Sequence, residues 1–126
     1  MIVSYYKDKD GSYPVVDFIA QQDEDTQAKI LRTIDLLEEF GLALQEPHKK
    51  KVTDSPLWEL RTKIGTNIYR IFFGVKGEAV LLHGFHKKTQ KTPPGELRAA
   101  EGRWEVHLAN LPMKAAKKGK GKKAKR

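Results

Sequence analysis

Three side chains in the middle of the chain have the types and spacing to grip a polyanion. The text between Leu57 and Pro93 runs LWELRTKI, GT, NIYRIFFGV, KG and EAVLLHGFHKKTQKTPP. Each run is rich in β-branched and aromatic residues, and the first two are closed by a glycine-bearing dipeptide that suits a hairpin. With two-residue loops at Gly65-Thr66 and Lys76-Gly77, Ile64 faces Asn67, Arg61 faces Arg70, Val75 faces Glu78 and Arg70 faces His83. Directly opposed residues share a face about 5 Å apart, so Arg61, Arg70 and His83 form one predicted row. Two adjacent arginines repel unless an anion lies between them, and guanidinium is shaped to clamp a phosphate. Lys87, Lys88, Thr89, Gln90, Lys91 and Thr92 follow as a basic, hydrogen-bonding rim. The alternative is local pairing, with Arg61 taken by Glu59, and a one-residue slip in register would also dissolve the row.

The elements that position this row are predicted as follows. Ile2 to Tyr6 reads as a short strand, and Lys7 to Gly11 as a turn. Pro14 suits the first position of a helix, which carries Val15, Val16, Ile19 and Ala20 and breaks near Gln22. Asp23-Glu24-Asp25 caps a second helix, from about Thr26 to Phe40, with Ile30, Leu31, Ile34, Leu37 and Phe40 as its stripe and Gly41 as its stop. Leu42 to Pro56 is a connector containing Lys49-Lys50-Lys51. Trp58, Leu60, Ile64, Ile71, Phe73, Val80 and Leu82 are expected to face the two helices. Leu57, Ile68, Phe72, Leu81 and Phe85 share the opposite face with Arg61, Lys63, Arg70 and His83, a mixture that suits a partly covered cleft. Glu96 to about Asn110 is a third helix with Leu97, Ala100, Trp104 and Leu108 as its apolar side.

Size and charge bound the function. The 126 residues suit one domain, taken as residues 1–112, with 113–126 as a Lys-rich tail expected to be disordered. The net charge of +8 comes from that tail, which has eight basic and no acidic residues. Residues 1–46 carry four basic against ten acidic side chains, and 47–113 carry twelve against six. A polyanion is therefore drawn to the strand-rich half. With no cysteine, neither a disulfide framework nor a thiolate metal site is available. His48, His83, His86 and His107 lack HExxH spacing, so no metal is expected. No P-loop, dinucleotide-binding glycine pattern or basic recognition helix appears, and no cofactor is expected. The absence of a signal peptide or membrane-length apolar run makes a cytoplasmic location the expectation.

LWELR, IYRIFF and LLHGFHKKTQKTP, followed by a closing helix, resemble the RelE/ParE toxin superfamily, and within it the phage-derived HigB-type host toxins. The resemblance covers about residues 1–110. It implies an α+β fold of order βααβββα: a small antiparallel sheet packed by an N-terminal helix hairpin, with a C-terminal helix. It also implies a ribosome-dependent messenger RNA endoribonuclease, a mRNA interferase that blocks translation. In this reaction a ribose 2′-hydroxyl attacks the adjacent phosphate without a metal. Arg61, Arg70, His83, Lys87 and Lys88 are then the expected catalytic set, Arg70 and Lys88 on the phosphate with Arg61 beside them. Lys49, Lys50, Lys51, Lys63, His86, Thr89, Gln90 and Lys91 are the expected RNA-binding residues. The implied partners are mRNA on the ribosome and a cognate antitoxin, a small helix-turn-helix protein, with no membrane. Leu57 and Glu59 stand where the best-understood cleavers of the family carry lysines, and Trp104 is the nearest aromatic to a missing C-terminal tyrosine. Two alternatives follow from these departures: a non-enzymatic DNA gyrase poison of the ParE type, or a relative that only binds RNA or antitoxin.

Overall fold

The computed structural model describes residues 1–87 and 93–112. Strand β1 (Val3–Tyr5) leads to helices α1 (Pro14–Ala20) and α2 (Glu24–Phe40) and a 3-10 turn at Gly41–Ala43. Strands β2 (Lys49–Lys51), β3 (Trp58–Ile64), β4 (Asn67–Lys76) and β5 (Glu78–Lys87) follow, and helix α3 (Pro94–Ala109) closes the order. The class is α+β as expected. The arrangement departs from βααβββα by the added strand β2, and the sheet is mixed, not antiparallel. Its order is β1-β5-β4-β3-β2, with β1 parallel to β5 and the other pairs antiparallel. The tail 113–126 lies outside the described residues.

Local signals account for the helices. Pro14 opens α1, where a missing N–H costs nothing. At α2 the Asp23 carboxylate accepts the Thr26 N–H at 2.8 Å, and that bond holds its pKa below the ordinary 3.8. Gly41, at φ 58°, ends α2 in a conformation costly for residues with a Cβ. Ile30, Ile34 and Leu37 are buried, but Leu31 and Phe40 are exposed (45% and 50%), so the buried stripe is narrower than predicted.

The β3–β4 pairing is as predicted, with Ile64 on Asn67 and Arg61 on Arg70. Gly65 takes φ 60° while Thr66 stays negative, the signature of a type II′ turn. The β4–β5 pairing differs. Gly77 alone makes the turn, so Lys76 faces Glu78 and Val75 faces Ala79. A one-residue slip reverses faces: Ala79 and Leu81 join the helix-facing core, whereas Val80 and Leu82 lie opposite. A bulge then leaves Leu82 between the pairs Phe73–Leu81 and Phe72–His83. The bulge restores the parity of His83 and Phe85 but not their register. Arg70 therefore faces Phe85, and His83 faces Phe72.

Both faces of the sheet are covered. Leu60, Ile71, Phe73, Ala79 and Leu81 pack beneath α1 and α2. Leu57, Phe72, Val80, Leu82 and Phe85 pack beneath α3 through Ala100 and Trp104, so the expected half-open cleft holds a second core. A Cβ at Gly74 would stand 2.6 Å from the Trp104 ring, and one at Gly84 would collide with Phe18. Each helical layer thus depends on a strand glycine for its approach.

Candidate functional site

The site grows from the alternation of β3. Trp58, Leu60 and Thr62 turn toward α1 and α2, which leaves Glu59 and Arg61 on the α3 face beside Arg70 of β4. Glu59 is buried among cations. Its Oε1 lies 3.1 Å from Arg61 Nε and its Oε2 lies 3.7 Å from Arg70 Nη1. Side-chain exposure falls from 13% at Arg61 through 4% at Glu59 to none at Arg70. Burial pulls the Arg70 pKa below the ordinary guanidinium value, the Glu59 carboxylate opposes that shift, and Arg61 adds to it. The anion between the paired arginines is therefore the chain's own carboxylate. This is the local pairing of Arg61 that the sequence left open.

Glu59 also forms part of a cleft of about 400 Å³ whose other walls are Lys50, Lys51, Val52, Thr53, Pro94 and Leu97. Lys50 is the cross-strand neighbour of Glu59 and is exposed. Ser55 fixes one wall to α3. Its Oγ donates to Glu101 Oε2 at 2.7 Å and accepts the Leu57 N–H at 3.2 Å. The cleft thus has a carboxylate at its floor, cations at its rim, and walls tied to two elements.

Not every predicted residue joins this site. Lys49 is buried on the other face, with Nζ donating to Leu42 O at 2.5 Å and lying 4.3 Å from the Trp58 ring centroid. Burial lowers its pKa. Lys51 does line the cleft, but its ammonium is taken by Ser55 O. Lys63 lines a separate cleft beside α2. His86 is on the α1/α2 side, stacked on Tyr69 at 4.4 Å with Nε2 donating to Asn67 Oδ1 at 2.9 Å. Lys88, Thr89, Gln90, Lys91 and the Lys87 side chain lie outside the described residues.

His83 keeps the face predicted for it, but both ring nitrogens are engaged. Arg103 Nη1 lies 2.8 Å from Nδ1, and Glu96 Oε1 lies 2.5 Å from Nε2. A guanidinium can only donate, so Nδ1 accepts and the ring proton sits on Nε2, given to Glu96. The imidazole is thereby held in one orientation, joining β5 to the first and later turns of α3. As placed, it is a pin between elements.

Of the residues that build this region, sequence reasoning named Glu59 only as a local partner of Arg61 and passed over Glu96 and Arg103. Glu59 carried a signal: it is the one acid within β3, flanked by Trp58 and Leu60 and two residues before Arg61, on the face that Arg61 shares with Arg70. Glu96 and Arg103 carried none, because their partner lies on β5 across an unpredicted bulge. Among the described residues, no three His, Asp or Glu side chains stand close enough to hold a metal ion. Nor is any described helix long and apolar enough to cross a membrane.

No curated protein matches the chain. A family model described as Phage derived protein Gp49-like (DUF891) matches residues 17–105, a span that runs from α1 through the Glu59 cluster to Arg103, and the chain belongs to that family.

Proposed function

We propose that the chain is the toxin of a toxin–antitoxin pair and cleaves messenger RNA in the translating ribosome. The observation that carries this reading is the Glu59 carboxylate, held between Arg61 and Arg70 at the floor of the lysine-rimmed cleft. The likeness of Leu57 to Pro93 to RelE-type cleavers and the phage-derived family both support it. Its expected partner is a small helix-turn-helix antitoxin.

Cleavage next to a ribose needs a proton acceptor for the 2′-hydroxyl beside cations for the crowded phosphoryl oxygens. Glu59 is the acceptor. The 2′-oxygen gives its proton to Glu59 as it bonds to the adjacent phosphorus. The bond from phosphorus to the 5′-oxygen breaks, and that oxygen leaves with the electron pair and takes up a proton. The products are a 2′,3′-cyclic phosphate and a 5′-hydroxyl. Arg61 and Lys50 neutralise the phosphoryl charge. An arriving phosphate competes with Glu59 for Arg61, which loosens the ion pair and makes the carboxylate a stronger base. Arg70, fully buried, acts through Glu59 and is a positioning residue.

A second reading, a binding protein without catalysis, is favoured by one observation: Glu59 already neutralises its arginines, as a structural cluster would. Transcript 5′ ends mapped within minutes of induced expression separate the two. New ends inside translated codons are expected, falling about 100-fold in Glu59→Gln, with melting temperature recorded to verify the fold. Undiminished cleavage by that variant would remove Glu59 from the chemistry. Intact transcripts in arrested cells showing a DNA-damage response would transfer the function to gyrase.

A further inference from the structure

A second cleft, of about 310 Å³, lies on the other side of β3. Lys29, Arg32, Thr33 and Leu36 of α2 form one wall, and Pro47, His48 and residues Arg61 to Lys63 form the other. The positions on α2 follow the i, i+3, i+4, i+7 spacing of one helical face. Its floor is closed by the buried bond from Thr62 Oγ1 to Thr33 Oγ1 at 2.9 Å.

Two independent features of this cleft point to the same kind of ligand. The first is charge. Helix α2 contains five acids, Glu24, Asp25, Asp35, Glu38 and Glu39, and two bases, Lys29 and Arg32. Both bases line the cleft and none of the acids does. Lys29, Arg32 and Lys63 are exposed and make no ion pair among the described residues. The most acidic helix in the molecule therefore presents a cationic face here and nowhere else.

The second feature is an open strand edge. Strand β2 stops at Lys49, opposite Leu60, while β3 continues to Ile64. Leu57 O and Arg61 N bond toward the β2 side, to Val52 N and His48 O, so alternate residues of β3 point their backbone groups that way. Lys63 is the next in that series, and β2 has already ended. Its N–H and C=O stand at an edge available for pairing.

We propose that this cleft docks an extended acidic segment of a partner protein, added as a short strand along β3. The Lys63 backbone supplies the pairing, and side chains at alternate positions of the added strand turn toward Lys29 and Arg32. The preferred segment therefore has Glu or Asp at every second residue. A nucleic acid fits less well, because Leu36 and Pro47 are apolar and His48 is the one aromatic ring on these walls against which a base could stack. Docking here is independent of whether Glu59 does chemistry.

The probe is a capped synthetic heptapeptide of alternating Glu and Val, titrated against the full chain by fluorescence anisotropy. Saturable binding is expected, weakened at least ten-fold by the double variant Lys29→Glu, Arg32→Glu, which alters only exposed helix positions. A peptide with the same side chains but N-methylated at alternate residues should lose binding as well, a control that leaves the protein untouched. No binding to the wild-type chain would overturn the proposal. So would equal affinity for the charge-reversed variant or for the N-methylated peptide, or displacement of the peptide by a uridine oligonucleotide in the wild type but not in the double variant.

Discussion

The two faces of the sheet are built from the same strands and come to opposite solutions. Toward α1 and α2 the buried side chains are mostly apolar, the polar pair Thr33–Thr62 is hydrogen-bonded to itself, and one cation, Lys49, rests its Nζ on Leu42 O and the Trp58 ring. Toward α3 an equally dry core of Phe72, Val80, Leu82 and Trp104 adjoins a buried carboxylate and a fully buried arginine. Burying charge is costly even when it is paired, and well-packed apolar residues often replace such pairs at no loss. The first face, with one buried cation at its edge and no buried carboxylate, is therefore closer to what stability alone would select. The second keeps Glu59 and Arg70 at a cost in stability, which marks that face, and not the helix-covered one, as the place to look for chemistry.

The sharpest test of this contrast is a cavity on the apolar face. Phe73→Ala should cost about 3–5 kcal/mol, read as a fall in the denaturation midpoint. On the α3 face, Arg70→Met should cost about 3 kcal/mol because it leaves the buried Glu59 with Arg61 as the one guanidinium against it. Adding Glu59→Leu to it should recover most of that loss, measured by the same denaturant titration. If the double variant is no more stable than Arg70→Met alone, the pair is not what the buried charge costs.

The smallest expected effect concerns the cap of α2. The Asp23 pKa is lowered by the Thr26 N–H, so its contribution is fully present above the ordinary value of 3.8 and fades as pH falls through the lower folded value. Asp23→Asn, which caps without titrating, should flatten the acid limb of a melting-temperature profile and leave the neutral limb in place. An unchanged acid limb would show that other carboxylates govern it.

How much of this was legible in the sequence depended on whether a local residue set the geometry. Pro14, Asp23 and Gly41 marked helix ends by their own chemistry, and Gly65-Thr66 set the pairing that brings Arg61 against Arg70. The β5 register was not legible, because Gly77 turns the chain alone and the bulge at Leu82 has no signature of its own. Lys49 to Lys51 read as part of a connector, yet the sheet takes them as an edge strand and Trp58 draws Lys49 inward. The site was half visible: the arginine pair could be read, whereas its counter-ion was read only as one possible local partner. The role of His83 depends on α3, whose docking no local pattern encodes.

The parallel pairing of β1 with β5 has a consequence for how the molecule is made. Val3 must wait for Ala79, so the first strand synthesised has no neighbour until nearly the last strand has left the ribosome. Contacts so distant in sequence form late and slowly, and α3, which covers Glu59 and Arg70, emerges later still. A nascent chain therefore carries its charged residues exposed and unassembled through most of its own translation. If the folded protein attacks the translating ribosome, its topology postpones that capacity until β5 and α3 have both left the ribosome that makes them.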